Sequence, residues 1–282
     1  METWKIGEVE ITRVVDVVQP FPATGLIPQA TAEALEPLHD WLCPHFADRE
    51  GNLQLSIHAF AVKAGDARIV VDTCLGGKDR PLGLPGAPPS NFLEDLSSAG
   101  FAPDSVDRVL CTHLHFDHVG WNTVLEEGQW VPTFRNARYL VGEKEWGFWK
   151  DHDDPYAPEA KADSVLPIFD AGLVDLVSMD HRICDEVRFV PTPGHTPGHV
   201  SVVVESQGET AVITGDLFHS PLQMAHPDWT DVADVDGDLA HETRRQFLES
   251  YADGPVLILG THFASPTAGK IVRDGAAYRF DA

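Results

Sequence analysis

Basic residues are scarce in this 282-residue chain: 20 Lys and Arg stand against 44 Asp and Glu, a formal net charge of −24. So acidic a surface repels phosphate backbones, and the densest basic spot is the pair Arg244 and Arg245, so nucleic acid is not an expected partner. No apolar run approaches the length of a membrane span. The N-terminus, METWKIGEVEITRVVDVV, has no basic stretch followed by an apolar one, so neither a membrane anchor nor a signal peptide is expected. Cysteine is scarce too. Cys43, Cys74, Cys111 and Cys184 lie far apart and form no CxxC pair, which points to reduced, mostly buried thiols in a cytoplasmic protein. A G-x-S-x-G elbow is absent, so nothing marks a nucleophilic serine.

What is present reads as an ordinary globular composition, 43% hydrophobic and 23% charged, with enough length for a sizeable core. Alternating or β-branched runs predict strands at 4–18, 52–63, 67–72, 107–113, 137–142, 173–178, 186–192, 199–205, 210–215 and 255–260. Helices are predicted at 91–101, after 142, and at 238–254, the last with Leu239, Thr243, Phe247, Leu248 and Tyr251 on its inward face. A loop is expected at 83–90. Residues 19–51 hold several prolines and little periodicity, and such long connections usually serve as lids, binding loops or interface arms. We expect one domain over 1–282 with 19–51 as its arm or lid, in an α/β or α+β class.

The stretch CTHLHFDHVGWN, residues 111–122, crowds His113, His115, Asp117 and His118 into six positions. At this composition the pattern H-x-H-x-D-H arises by chance roughly 0.003 times in such a chain, so it is read as a functional cluster. It follows a predicted strand, and so do His195 in PTPGHTPGH, Asp216 in ITGDLFH and His262 in LILGTHF. Strand ends gather at one edge of a sheet. Buried there unpaired, these groups would be costly, and coordination to cations offsets that cost. In extended chain His113 and His115 point the same way and can grip one ion, which His195 can complete. Asp117 and His118 sit on the turn beyond, aimed at a second ion that His262 can complete, while the two oxygens of Asp216 can bridge both. Imidazole and carboxylate donors without thiolate suit two divalent ions, zinc first, with manganese, iron or cobalt also compatible. His58, His199 and His226 are expected to be packing or surface residues, and so, more firmly, are His39, His45, His152, His181 and His241.

THLHFDH, GHTPGH, TGD and GTH, in that order, resemble the metallo-β-lactamase-fold hydrolase superfamily, from about residue 50 to the end. The resemblance implies an α+β fold, an αββα sandwich of two mixed sheets with helices outside and metals at one edge. It implies the same ligand sets: His113, His115 and His195; Asp117, His118 and His262; Asp216 between them. No cysteine follows TGD or GTH, unlike the β-lactamases with a cysteine ligand, and no basic track marks a nuclease. The wording is similar to the acyl-homoserine lactonase branch, which carries a tyrosine three residues after the bridging aspartate where this chain has His219. Over the tail, GKIVRDGAAYRF included, it is similar to the methyl parathion hydrolase branch.

The expected activity is therefore that of a dinuclear metallo-hydrolase, a metal-bridged hydroxide attacking a lactone or related carboxylic ester. Phosphotriester or β-lactam hydrolysis is the alternative, and a mononuclear iron oxygenase or a non-catalytic metal-binding protein the more distant one. Asp117 is expected to steer the water's proton as well as bind metal. His219 is expected either to orient the substrate or protonate the leaving group, or to support a ligand. Phe116, Trp121, Phe218, Trp229 and Phe263 are expected to wall the pocket, and Trp146, Phe148 and Trp149 to pack in the core. The partner is a small-molecule substrate, with a homodimer as a further expectation.

Overall fold

The computed structural model describes residues 1–78 and 90–282. The first sheet begins with β1 (Thr3–Ile6), β2 (Val9–Pro22), β3 (Asn52–Ala64), β4 (Ala67–Val71) and β5 (Arg108–Leu110). After a separate hairpin of β6 (Thr123–Glu126) and β7 (Gln129–Pro132), β8 (Arg138–Gly142) and β9 (Val174–Val177) complete it. Neighbours from β1 to β4 are antiparallel, and β4, β5, β8 and β9 run parallel. The second sheet comprises β10 (Val187–Pro191), β11 (Val200–Ser206), β12 (Glu209–Ile213), β13 (Leu257–Leu259), β14 (Ala268–Asp274) and β15 (Ala277–Asp281). It is antiparallel except for the parallel β12–β13 pair.

Period-two alternation explains how the layers stack. Phe60 and Val62 of β3, Ile69 and Val71 of β4, and Leu140 of β8 meet Phe189, Val200, Val202, Val204 and Ile213 of the second sheet in one buried cluster. Their neighbours Ala59, Ala61, Val70, Tyr139 and Val141 face the opposite way, against the helices Phe92–Ser98 and Glu143–Trp149. Val203, Val212 and Ile258 likewise face the outer layer of the second sheet, with Phe247 and Leu248 of the helix Gly237–Tyr251. The result is an αββα sandwich. Each fully buried Val, Leu, Ile or Phe contributes about 1.5–3 kcal/mol, so the paired sheets form a rigid platform for their edges.

Three expectations are corrected. The strand expected at 4–18 is two strands, because Gly7 takes φ +55 in a turn and a Cβ there would meet the Ser206 carbonyl oxygen at 2.5 Å. β2 then runs on to Pro22, claiming the first residues of the proline-containing arm; short helices at Ala23–Leu26, Ala32–Leu35 and His39–Leu42 occupy much of the rest. On the helix Gly237–Tyr251 the inward face includes Ala240 and Arg244, and Leu239 is exposed. The hairpin β6–β7 had no expectation, and residues 83–89 of the expected loop lie outside the described residues. Among the described residues no helix is long and apolar enough to cross a membrane.

Candidate metal centre

β5 ends at Leu110 and the chain runs through Thr112 and His113 to His115, which precedes a single helical turn, Phe116–Val119, that carries Asp117 and His118. β10 ends four residues before His195, β12 three before Asp216, and β13 three before His262. β4 and β5 are parallel, as are β12 and β13, so these ends meet at one edge of the sandwich. Gly215 makes the turn into Asp216 at φ +57; a Cβ there would meet His199 Nε2 at 2.5 Å.

All seven expected ligands converge. His115 Nδ1 lies 3.1 Å from His113 Nε2 and 2.9 Å from His195 Nε2. Asp117 stands 3.7 Å from both His118 Nε2 and His262 Nε2, and those two nitrogens are 3.3 Å apart. Asp216 spans the groups: Oδ2 is 3.5 Å from His113 Nε2, 3.4 Å from His195 Nε2 and 3.1 Å from His118 Nε2, while Oδ1 is 3.1 Å from His262 Nε2. Each donor set lies within 4.8 Å: His113, His115, His195 and Asp216; Asp117, His118 and His262; and Asp216, His219 and His262.

The surroundings fix which nitrogens carry protons. His118 Nδ1 pairs with Asp72 Oδ2 at 3.0 Å, His195 Nδ1 with Asp234 Oδ1 at 3.2 Å, and His262 Nδ1 with the Ser56 carbonyl at 3.2 Å. These acceptors hold the protons on Nδ1 and turn the Nε2 lone pairs inward, toward one another and Asp216. Asp216 Oδ1 is buried with no hydrogen-bond donor among the described residues. Lone pairs so confined repel, and a cation among them reverses the sign of the interaction; the donor set fits divalent ions. Burial pushes the His113 and His195 rings well below the usual imidazole range. At His118 burial is outweighed by Asp216, Asp117 and Asp72, which raise it well above that range; the negative field that favours a proton there equally favours a metal ion. Asp216 is held well below the carboxylate range, burial being overcome by His118, His262 and His219.

The site opens into a cavity of about 140 Å³. Phe21, Leu26, Leu55, Ile57, Phe116 and Tyr156 wall it, and His115, Asp117, His195, Asp216, His219 and His262 lie at its floor. No Lys or Arg lines it among the described residues. Of the five expected wall aromatics, the structure brings only Phe116 there. Trp121 stacks on Phe92 at 5.9 Å, Phe218 and Phe263 are fully buried against Phe247 and Phe280, and Trp229 stacks on His226 at 3.9 Å. Flanking a ligand in sequence does not place a side chain on the ligand's side of the backbone. The arm and β3 supply most of the wall, and Tyr156 comes from the segment after the helix Glu143–Trp149.

The Metallo-beta-lactamase superfamily profile matches residues 53–262. The chain belongs to this superfamily. An N-acyl homoserine lactonase of a Bacillus species is 28% identical over 118 residues, 42% of this chain and 40% of that protein. Another from Bacillus thuringiensis is 28% identical over 167 residues, 58% and 59% of the two chains. The matched regions thus span less than two thirds of either relative's length. Among solved structures, the beta-lactamase superfamily hydrolase AbOPH aligns at TM-score 0.81 and 27% identity, covering 99% of this chain and 96% of that one. The dizinc quorum-quenching lactonase AidC, in complex with its product, shares the fold at TM-score 0.82 and 22% identity, with the same coverage.

In this superfamily member the supporting residues were the ones sequence reasoning missed. Asp72 takes φ 58 at the end of β4 and accepts from the Thr112 backbone N–H at 2.8 Å as well as backing His118. His199, expected to be a packing residue, accepts from the Asp216 backbone N–H at 2.8 Å through Nε2, and burial pushes its pKa down to about 4. Buried Glu145 accepts from Leu114 N, Trp149 Nε1, Thr196 Oγ1 and Gly198 N, tying the segments that carry His115 and His195. Asp72, closing the apolar run ARIVVD, and His199, ending GHTPGH, had a signal in the sequence; Glu145 is visible only in space.

Proposed function

We propose that the protein is a dinuclear metal-dependent hydrolase acting on a lactone or related carboxylic ester whose non-reacting part is uncharged and apolar. The observation that carries this reading is the pair of three-donor sets sharing Asp216 at the floor of a cavity with apolar walls and, among the described residues, no Lys or Arg in its lining. His113, His115 and His195 would hold the first cation, Asp117, His118 and His262 the second, and Asp216 both. Bound zinc ions supply Lewis acidity and an acidified water at neutral pH. The chain's own residues do the rest. Asp117, with its side chain 17% exposed at the cavity, accepts the proton of the attacking water. Phe21, Leu55, Ile57 and Phe116 hold the substrate's apolar part and exclude bulk water, which strengthens every charge interaction at the floor.

β-Lactam antibiotics carry a carboxylate, and among the described residues the cavity offers no Lys or Arg to pair with it, leaving only the cations themselves, which the reacting carbonyl also needs. Phosphotriesters are neutral and remain the second reading, favoured by the same lining. Relatives named as lactonases support the lactone choice. The completeness of both donor sets speaks against a single-iron oxygenase. The test is a panel of N-acyl homoserine lactones, aryl esters, phosphotriesters and β-lactams, run with a metal count on one preparation. A kcat/KM for lactones at least about tenfold above every other class, with two metals bound, is expected, a margin of about 1.4 kcal/mol. A larger value for phosphotriesters makes the second reading the right one.

A further inference from the structure

His219 occupies the floor of the cavity three residues after Asp216, and its surroundings match those of a motif ligand. The His118 ring sits between two buried carboxylates, with Asp72 Oδ2 3.0 Å from Nδ1 and Asp216 Oδ2 3.1 Å from Nε2. The His219 ring sits between two as well, with Asp231 Oδ2 3.0 Å from Nδ1 and Asp216 Oδ2 3.1 Å from Nε2. His219 also lies parallel to the His262 ring, centroids 5.1 Å apart. His219 Nδ1 and Asp231 Oδ2 are off the line of a hydrogen bond, and among the described residues neither has another partner. As with the motif ligands, a carboxylate at Nδ1 turns the Nε2 of His219 inward, toward Asp216 and His262.

We propose that His219, backed by Asp231, is an additional ligand of the second cation, completing the set Asp216, His219 and His262. This rests on the dinuclear reading above and deepens it. Its consequence is a mechanical link between metal and substrate mouth. Asp231 begins the segment Asp231–Val235, whose Asp234 backs His195 of the first set. Val232 lines the mouth, its N–H bonded to the Leu26 carbonyl at 2.9 Å and its carbonyl accepting from the Tyr156 hydroxyl at 3.0 Å. Val235 N–H bonds the His195 carbonyl at 2.9 Å. Metal on His219 thereby anchors Asp231, and Asp231 anchors the wall through which substrate enters.

Metal-depleted protein titrated with zinc in a calorimeter tests this, together with hydrogen exchange at the Val232 amide before and after zinc. Wild type is expected to take up two equivalents and to slow exchange at Val232 on the second. His219→Ala is expected to keep the first step, weaken the second at least about tenfold to a hundredfold, and lose the zinc-dependent protection. Asp231→Asn, which keeps the imidazole and the shape, guards against misfolding of the alanine variant; it is expected to weaken the second step by about tenfold. Two wild-type steps in folded His219→Ala, an unchanged second step in Asp231→Asn, or equal weakening of both steps would each overturn the assignment. Wild type that binds a single equivalent overturns the dinuclear reading itself, a distinct outcome visible before any variant is made.

Discussion

The two sheets feed the centre in different ways. The edge of the first sheet delivers His113, His115, Asp117 and His118 from six consecutive residues after β5. The edge of the second delivers His195, Asp216 and His262, one from the loop after each of three strands. The first contribution is geometric in origin: an extended stretch followed by one helical turn aims two imidazoles at one point and a carboxylate and imidazole at another. The second depends on packing, since β10, β12 and β13 must lie in register and against the first sheet before their loops can meet the cluster. A short motif therefore sets the chemistry, and a large buried interface sets whether the chemistry is assembled.

The sharpest way to break this division is Asp216→Ala, which removes the carboxylate whose two oxygens reach both donor sets. Activity is expected to fall on the order of 10²–10³-fold, with metal content reduced at both sites, as read by kinetics and elemental analysis. Normal metal content with full activity would mean the two edges do not share a ligand. Separating the sheets tests the other half of the comparison. Phe189→Ala opens the buried layer between them and is expected to cost about 3–5 kcal/mol in denaturant unfolding, with part of the loss recovered when zinc is added. The backing carboxylates sharpen the contrast further. Asp72→Asn is expected to weaken the second cation and Asp234→Asn the first, each by about tenfold to a hundredfold in stepwise titration. Weakening of the same step by both would erase the distinction between the sets. At the small end, His152→Ala should change stability by no more than about 0.5 kcal/mol and release no metal, because the residue is exposed and its ring stacks on Phe148 and bonds the Phe148 carbonyl, away from the donor sets.

The same contrast explains what was legible. The donors could be found because residue types with one shared chemistry recur at strand ends, and strand ends are readable from β-branched runs such as ARIVV and VLILG. The pocket wall could not. Phe218 and Phe263 adjoin ligands in the chain yet point into the second sheet's outer layer, while Phe21, Leu55 and Tyr156 come from segments far from any motif. Arg244 is half of the densest basic spot in the sequence. In the fold it is fully buried, its Nη2 donating to Asp234 at 2.8 Å and its Nε to the Leu217 carbonyl at 2.8 Å, so that it neutralises the carboxylate that orients His195.

The amino-acid sequence by itself determined the donor chemistry and the alternating layers, because ligand type and hydrophobic period are local properties of the chain. Only the tertiary structure decided which carboxylates stand behind the imidazoles, which side chains wall the cavity, and that His219 shares the environment of a ligand. Those are contacts between segments as distant as Asp72 and His118 or Ser56 and His262, and they exist only once two sheets have packed and excluded water from the groups between them.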